Sequence, residues 1–85
     1  GYAFNKPLII IEIKLRRKGN VSDNNFREKI NKDRTKLSQV RNELNVNFTT
    51  YLLLFDKKKN IDVKTINTNN HKEYYIYPYE NEEMI

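Results

Sequence analysis

The sequence contains few of the residues on which several classes of functional site depend. Cysteine is absent, which excludes disulfides and thiolate-bound metal ions. Glycine occurs only at positions 1 and 19, too few for a glycine-rich phosphate-binding loop. His71 is the single histidine, with no second histidine to complete a ligand set. The apolar run at 8–11 is far shorter than the roughly 20 residues of a membrane-spanning helix, so we expect no membrane contact.

Positive charge is in excess over most of the chain. Lys and Arg number 16 against 11 Asp and Glu, which gives a formal net charge of +5. Every Lys and Arg lies at or before residue 72, whereas four of the acids lie beyond it: Glu73, Glu80, Glu82 and Glu83. A basic body with an acidic tail suits a polyanionic partner such as nucleic acid. The solubility of a lysine-rich chain is the alternative explanation.

Residues 8–16, LIIIEIKLR, are predicted to form a β-strand, because β-branched residues dominate and a basic turn follows. Side chains alternate between the two faces of a strand. One face then carries the apolar residues Ile9, Ile11, Ile13 and Leu15. The other face carries Leu8, Ile10, Glu12, Lys14 and Arg16. The charged side chains of this apolar strand therefore share one face.

A helix is predicted to begin after Ser22, which suits the N-cap position, with Val21 placed to pack on Phe26 in the first turns. The apolar stripe that follows consists of Phe26, Ile30, Leu37, Val40 and Leu44. Its gap of seven residues contains Asp33, so the apolar face of the helix carries a carboxylate at its midpoint. Asn45 is the expected end of the helix.

The chain is predicted to form a single α/β domain over residues 1–85, with α+β as the alternative class. Residues 49–55 read TTYLLLF and predict a second strand, apolar on both faces as in sheets that are covered on both sides. A strand, helix and strand of these lengths indicate a parallel crossover. A hairpin is then expected to lead to an outer strand in which Ile61, Val63 and Thr65 alternate with polar residues.

The last part of the chain is predicted to be less regular. His71 is expected in an exposed loop, because its neighbours are polar. Residues 74–77 predict a short aromatic strand that Pro78 stops. The acidic tail at 80–85 is expected to fray.

Glu12 and Lys14 suit a particular chemistry, since they lie roughly 7 Å apart on one strand face. A phosphodiesterase that uses a divalent metal needs both groups. The carboxylate is a hard oxygen ligand for Mg²⁺, and the ammonium steadies the attacking water or the charge on the phosphate. A structural ion pair is the alternative interpretation.

The stretch LIIIEIK resembles the Glu-x-Lys half of the motif of PD-(D/E)xK nucleases, and KPLIIIEIK is similar to nuclease domains of restriction enzymes. The likeness covers residues 6–56, because the predicted strand, helix and strand are similar to the family core. It implies a partial restriction-endonuclease-like fold and Mg²⁺- or Mn²⁺-dependent endonuclease activity on nucleic acid. We expect DNA to be the substrate, and we expect the protein to be bacterial and cytoplasmic.

The resemblance also implies roles for individual residues. Glu12 corresponds to the acidic metal ligand, the carbonyl of Ile13 to a second ligand, and Lys14 to the catalytic lysine. Asp33 corresponds to a polar residue that some members carry on the helix after the motif, which makes it a possible auxiliary residue. The alternative for Asp33 is a salt bridge with a helix neighbour such as Lys29 or Lys36, or a position at the edge of the apolar stripe.

The chain departs from the family pattern at the first acid, the Asp of Pro-Asp. Eleven residues precede Glu12 and none of them is acidic. Three explanations compete: the chain is a fragment of a longer nuclease, another chain supplies the Asp, or the domain is inactive. We expect a fragment, whose missing N-terminal segment or another chain is a partner. Metal binding and catalysis are expected only with the upstream Asp.

Two basic turns are predicted to meet at the carboxyl edge of the parallel strands, where open α/β sheets bind ligands. They contain Arg16, Arg17, Lys18, Lys57, Lys58 and Lys59. Six cations beside Lys14 suit sequence-independent contacts with a phosphate backbone, although lysine-rich turns are also ordinary solvated turns. The tyrosines of YYIYPY at 74–79 either stack on bases or pack against the sheet.

Two non-catalytic functions remain as alternatives. The chain is a nucleic-acid-binding module if Glu12 and Lys14 form a structural ion pair and the basic edge binds the polymer. It is a protein-interaction module if its exposed strand edges pair with a partner segment.

Overall fold

The computed structural model describes residues 8–19, 21–44 and 48–79. Within these ranges the chain forms β1 (Leu8–Arg16), α1 (Asp23–Leu44), β2 (Phe48–Asp56) and β3 (His71–Ile76). The strands form one sheet in the order β1-β2-β3, and both pairs are parallel. The predicted α/β class and the parallel pair after a helical crossover are therefore confirmed.

Helix α1 begins where the capping residue predicts. The backbone amide of Asn25 donates to Oγ of Ser22 at 3.2 Å, and the amide of Phe26 donates to the carbonyl of Ser22 at 2.9 Å. Such a cap satisfies an amide that has no partner within the first turn. Val21 is half-buried and packs against the core cluster to which Phe26 belongs. The expected end at Asn45 lies outside the described residues.

One face of α1 packs on one face of the sheet and forms a small core. The core consists of Phe26, Ile30, Leu37, Leu52, Leu54 and Ile61. Three members of the predicted helical stripe are thus buried, and Val40 is half-buried. The gap in the stripe is filled by Asp33, which is also buried.

In the described ranges no second helix covers the other face of the sheet, where only a local contact of Tyr79 with Phe55 is recorded, so the expected cover on both sides is not found there. We call this surface the open face. It consists of Ile9, Ile11, Ile13, Leu15, Tyr51, Leu53, Phe55, Tyr74 and Ile76. Ile9, Ile11 and Ile13 are 65%, 56% and 61% exposed. Side chains alternate between the two faces along each strand. In β1 the charged face lies against α1, and the purely apolar face is exposed.

The predicted hairpin strand at Ile61, Val63 and Thr65 is wrong. This segment has no strand, because side chains satisfy its backbone groups in place of a neighbouring strand. The amide of Ile61 donates to the hydroxyl of Tyr75 at 3.1 Å, and its carbonyl accepts from Nη2 of Arg27 at 2.7 Å. Ile61 itself is buried in the core.

The last strand is longer than predicted and begins at His71. The residue expected in an exposed loop is therefore 4% exposed, paired through its strand with Thr50 of β2. His71, Glu73 and Tyr75 alternate toward the helix-covered face of the sheet. The tail at 80–85 lies outside the described residues, so the expectation that it frays is not addressed.

Candidate functional site

Lys14 and Asp33 contact each other between the sheet and the helix. Nζ of Lys14 lies 3.2 Å from Oδ2 of Asp33. The contact is an ion pair without hydrogen-bond geometry, because this buried oxygen has no hydrogen-bond partner in the described part of the chain. Asp33 therefore pairs with the candidate catalytic lysine, and not with the two helix neighbours that were the alternative, Lys29 and Lys36.

Glu12 lies on the same face and is oriented toward the helix. Its Oε1 is 3.9 Å from Nζ of Lys36, and the two side chains are 30% and 64% exposed. Such a loose, partly solvated pair contributes little to stability. Glu12 and Lys14 each face a partner on α1, so the predicted pairing of these residues with each other is replaced by two contacts across the layers.

The described residues supply only part of the magnesium site that the resemblance implies. Nowhere in ranges 8–19, 21–44 and 48–79 do three His, Asp or Glu side chains gather as metal ligands. Glu12 and the carbonyl of Ile13 would supply only part of an octahedral oxygen set. We therefore assign no hydrolytic step to this group.

The carboxyl ends of the three parallel strands meet at one edge and surround a cleft of about 680 Å³. We call it the basic cleft, and its lining residues are Arg17, Lys18, Lys57, Lys58, Tyr77, Pro78 and Tyr79. Because the strands are parallel, the residue after each strand is delivered to the same edge, which is where open α/β sheets bind ligands. Four of the six cations predicted for this edge thus line one concave surface.

Backbone hydrogen bonds tie the walls of the basic cleft together. The amide of Lys57 donates to the carbonyl of Arg16 at 2.8 Å, and the amide of Tyr79 donates to the carbonyl of Asp56 at 3.1 Å. The ring of Tyr79 packs against Phe55 with centroids 4.7 Å apart, and Nζ of Lys57 lies 5.8 Å from the centroid of Tyr79. A cation at this distance from an aromatic face is attracted to it.

Arg16 was predicted to bind nucleic acid, and the structure corrects this assignment. Its side chain is fully buried. Nε and Nη2 donate to the two carboxylate oxygens of Asp56 at 3.0 and 2.8 Å, and Nη1 donates to Oδ1 of Asp23 at 2.7 Å. Carbonyl oxygens of Val21 and Lys59 accept two further bonds, so all five N–H donors are used. Arg16 lies on the helix-covered face and closes the end of the core, beneath the cleft.

Lys59 also stays outside the basic cleft. Its Nζ lies 3.5 Å from Oδ2 of Asp23, and the side chain is 66% exposed. The backbone carbonyl of Lys59 accepts from Arg16 and lies 3.1 Å from the hydroxyl oxygen of Tyr75. The residue thus contacts the group formed by Arg16, Asp23, Asp56 and Tyr75, which we call the Arg16 cluster, and does not extend the cationic surface.

The charges in the Arg16 cluster stabilise one another. Burial disfavours the ionised form of Asp56, but hydrogen bonds from Arg16, from the amide of Lys58 and from Tyr75 outweigh it and hold the pKa of Asp56 below its usual value. The hydrogen bond to Asp56 raises the pKa of Arg16. Burial, together with the bond that its hydroxyl donates to Asp56, raises the pKa of Tyr75 to about 12.

A second buried polar network links β2, β3 and the helix. Nε2 of His71 lies 2.8 Å from Oε2 of Glu73, and Nδ1 lies 2.7 Å from Oγ1 of Thr50. Arg34 binds both oxygens of Glu73 at 2.9 and 2.8 Å. Burial opposes ionisation of Glu73, but these hydrogen bonds lower its pKa. Thr50 is fully buried, so its hydroxyl orients the His71 ring and is closed to a substrate.

The sequence interpretation missed this second network, although one signal for it exists. Alternation of His71, Glu73 and Tyr75 puts them on one face of a strand, but Glu73 was assigned to the acidic tail. Arg34 carried no signal, because its partner lies 39 positions away in the chain.

The fold and this edge define a parallel α/β domain with a cationic cleft at the carboxyl ends of its strands. No family model matches the chain, and neither the curated proteins nor the solved structures include a match. In the ranges that the structure describes, no helix has both the length and the apolar character that crossing a membrane requires.

Proposed function

We propose that this chain binds nucleic acid, with DNA as the expected polymer, through phosphate contacts in the basic cleft. The observation that carries the proposal is the convergence of Arg17, Lys18, Lys57 and Lys58 from two adjacent strand ends on one concave surface. Lysine and arginine neutralise phosphates and release counterions, which supplies most of the affinity of sequence-independent binding. The nuclease-like order of strand, helix and strand supports the same class of ligand.

The charge around the basic cleft supports binding of an anion. Among the residues that the structure describes, no carboxylate lines the cleft and none of its four cations takes part in a salt bridge. The acid that directly precedes Lys57, Asp56, is buried and paired with Arg16. The cleft therefore presents positive charge that a phosphate backbone can neutralise.

The test is fluorescence anisotropy of a labelled DNA oligonucleotide with two charge-matched double variants. Arg17→Gln with Lys18→Gln removes two charges from the basic cleft, and Lys29→Gln with Lys32→Gln removes two exposed charges from α1. If four phosphates are neutralised, log Kd changes with log salt with a slope of magnitude roughly 3 for a single strand and roughly 4 for a duplex. We expect the cleft variant to weaken binding about tenfold near 0.1 M salt and to lose about half of that slope.

The helix variant separates a local site from a general effect of net charge. We expect it to weaken binding less than about threefold, since neither lysine lines the basic cleft and salt screens exposed charges that make no direct contact. Equal weakening by both double variants would contradict a site in the basic cleft. Absence of salt-sensitive binding by the unchanged chain would contradict the function itself.

Magnesium-dependent cleavage is a second candidate function, with narrower support. Its specific support is the contact of Lys14 with Asp33 beside Glu12, which brings a second carboxylate to the face that carries the Glu-x-Lys pattern. The test is incubation of the chain with DNA and Mn²⁺. Cleavage that a chelator and Glu12→Gln both abolish would support the candidate, and DNA that is bound but stays intact would leave only the binding function.

A further inference from the structure

Two tyrosine rings lie among the cations of the basic cleft. Tyr77 and Tyr79 line it on either side of Pro78, directly after β3. Tyr77 is 42% exposed, whereas Tyr79 is half-buried. A large aromatic side chain that remains this exposed within a concave cationic surface has an accessible ring face beside the positive charges.

The two rings are held differently. Tyr79 packs on Phe55 and receives Lys57 near its ring, so it forms part of the wall. Its backbone amide is bound to the carbonyl of Asp56, which fixes the chain two residues after Tyr77. Tyr77 is thus carried on a short segment anchored at both ends, by strand pairing that ends at Ile76 and by Tyr79. The anchoring limits the entropy that the ring would lose on contact with a ligand.

We propose that the ligand of the basic cleft is single-stranded nucleic acid, with a base stacked on the ring of Tyr77 and the flanking phosphates on the four cations. This inference rests on the proposed function and names its substrate class. A base in a duplex has both faces covered by its neighbours, whereas an unpaired base has a free face. Stacking on an aromatic side chain tolerates every base, so it adds affinity without sequence specificity.

The probes are a fluorescein-labelled oligothymidine and a duplex of the same length, measured by anisotropy at two salt concentrations. The variants are Tyr77→Leu, Tyr77→Phe and the matched control Tyr74→Leu. Tyr74 is 51% exposed on the open face and does not line the basic cleft, so its replacement removes an exposed tyrosine without touching the proposed site. Urea unfolding of each variant verifies that the fold is retained.

We expect the unchanged chain to bind the single strand at least about tenfold more tightly than the duplex. Tyr77→Leu should weaken binding to the single strand about tenfold and leave binding to the duplex unchanged. Tyr77→Phe should keep most of the affinity, because the aromatic face remains, and Tyr74→Leu should have no effect. The salt slope should stay the same in every tyrosine variant, because no phosphate contact is removed.

The outcomes separate this inference from the proposed function. Equal or tighter binding of the duplex, with no effect of Tyr77→Leu on the single strand, would overturn the inference while salt-dependent binding by the cleft stands. Equal loss from Tyr74→Leu and Tyr77→Leu would also overturn it. If neither polymer binds in a salt-sensitive manner, the proposed function fails together with the inference.

Discussion

At the scale of single residues, two arginine–carboxylate pairs join neighbouring elements of the fold. One pair links β1 to β2, and the other links α1 to β3. Arg16 binds Asp56 through two parallel hydrogen bonds beneath the carboxyl edge, and Arg34 binds Glu73 in the same way on β3. Two-point arginine–carboxylate pairs of this kind are among the stronger charge-assisted contacts. A buried pair contributes little over an apolar replacement of both partners, but removal of one partner is costly because the other charge is left buried.

The lowered carboxyl pKa values predict that the protein loses stability in acid. The folded pKa of Asp56 lies below that of an unfolded aspartate, about 3.9, so its contribution is fully present above pH ~5 and is lost as pH falls through the folded pKa. Asp56→Asn should lower the free energy of unfolding by roughly 2–3 kcal/mol at neutral pH and flatten its decline between about pH 5 and 3. Urea unfolding at several pH values measures both effects.

Asp62→Asn is the control for this prediction. It makes the same chemical change at an exposed carboxylate with a φ of 50°, a conformation that asparagine tolerates. We expect little change in the free energy of unfolding at neutral pH. An equal loss in both variants would show that the Arg16 cluster has no special part in stability.

At the scale of elements, α1 and β1 each combine two kinds of face. Helix α1 buries Phe26, Ile30 and Leu37, and its stripe includes the carboxylate of Asp33 opposite Lys14 of β1. Each of these charges is compensated by the other where the helix packs on the sheet. The pairing therefore explains why both apolar elements carry a charge at that position. The start of α1 depends on a cap that lies outside this contact.

Ser22→Ala should destabilise the protein by about 1 kcal/mol, because the amide of Asn25 loses the hydroxyl that accepts its hydrogen bond. The measurement is the midpoint and slope of urea unfolding. Thr35→Ala is the matched control, since it removes an exposed hydroxyl that bonds back to the carbonyl of Asn31 within the helix. Such a bond does not support a helix, so the control should be neutral or slightly stabilising. A cap variant as stable as the control would refute the assignment of Ser22.

At the scale of the whole molecule, the described residues form two layers, a helix and a sheet with one uncovered face. Parallel sheets are normally covered on both faces. The open face nonetheless presents nine apolar or aromatic side chains, several of them more than half exposed. The core is correspondingly small and consists of six buried apolar residues supported by the two arginine–carboxylate pairs.

Truncation of side chains on the two faces of the sheet should have unequal costs. Leu54→Ala removes a fully buried side chain, and we expect a loss of about 2–5 kcal/mol in the free energy of unfolding. Ile11→Ala removes one that is 56% exposed, and we expect less than about 1 kcal/mol. Urea unfolding of the two variants tests this. A loss from Ile11→Ala as large as that from Leu54→Ala would mean that the open face is covered in solution.

Most of the elements, and part of the site, were predictable from local patterns. The strand at 8–16, the N-cap at Ser22 and the parallel β1–β2 pair follow from alternation, capping and a crossover of sufficient length. The position of Arg17, Lys18, Lys57 and Lys58 at one edge of the sheet follows from the parallel pairing of β1 with β2. The hairpin and the exposed position of His71 were wrong because the segment before β3 uses side chains to satisfy its backbone, a choice that local patterns do not reveal.

The sequence by itself determined which residues share a face, because the periods of a strand and a helix are properties of the backbone alone. It also determined which residues reach the carboxyl edge, since strand direction orders them. Only the tertiary structure decided which charge meets which partner. Arg16 and Asp56 are 40 positions apart in the chain and meet because strand register places them opposite each other. That contact buries Arg16 and leaves four cations and the exposed Tyr77 to form the basic cleft.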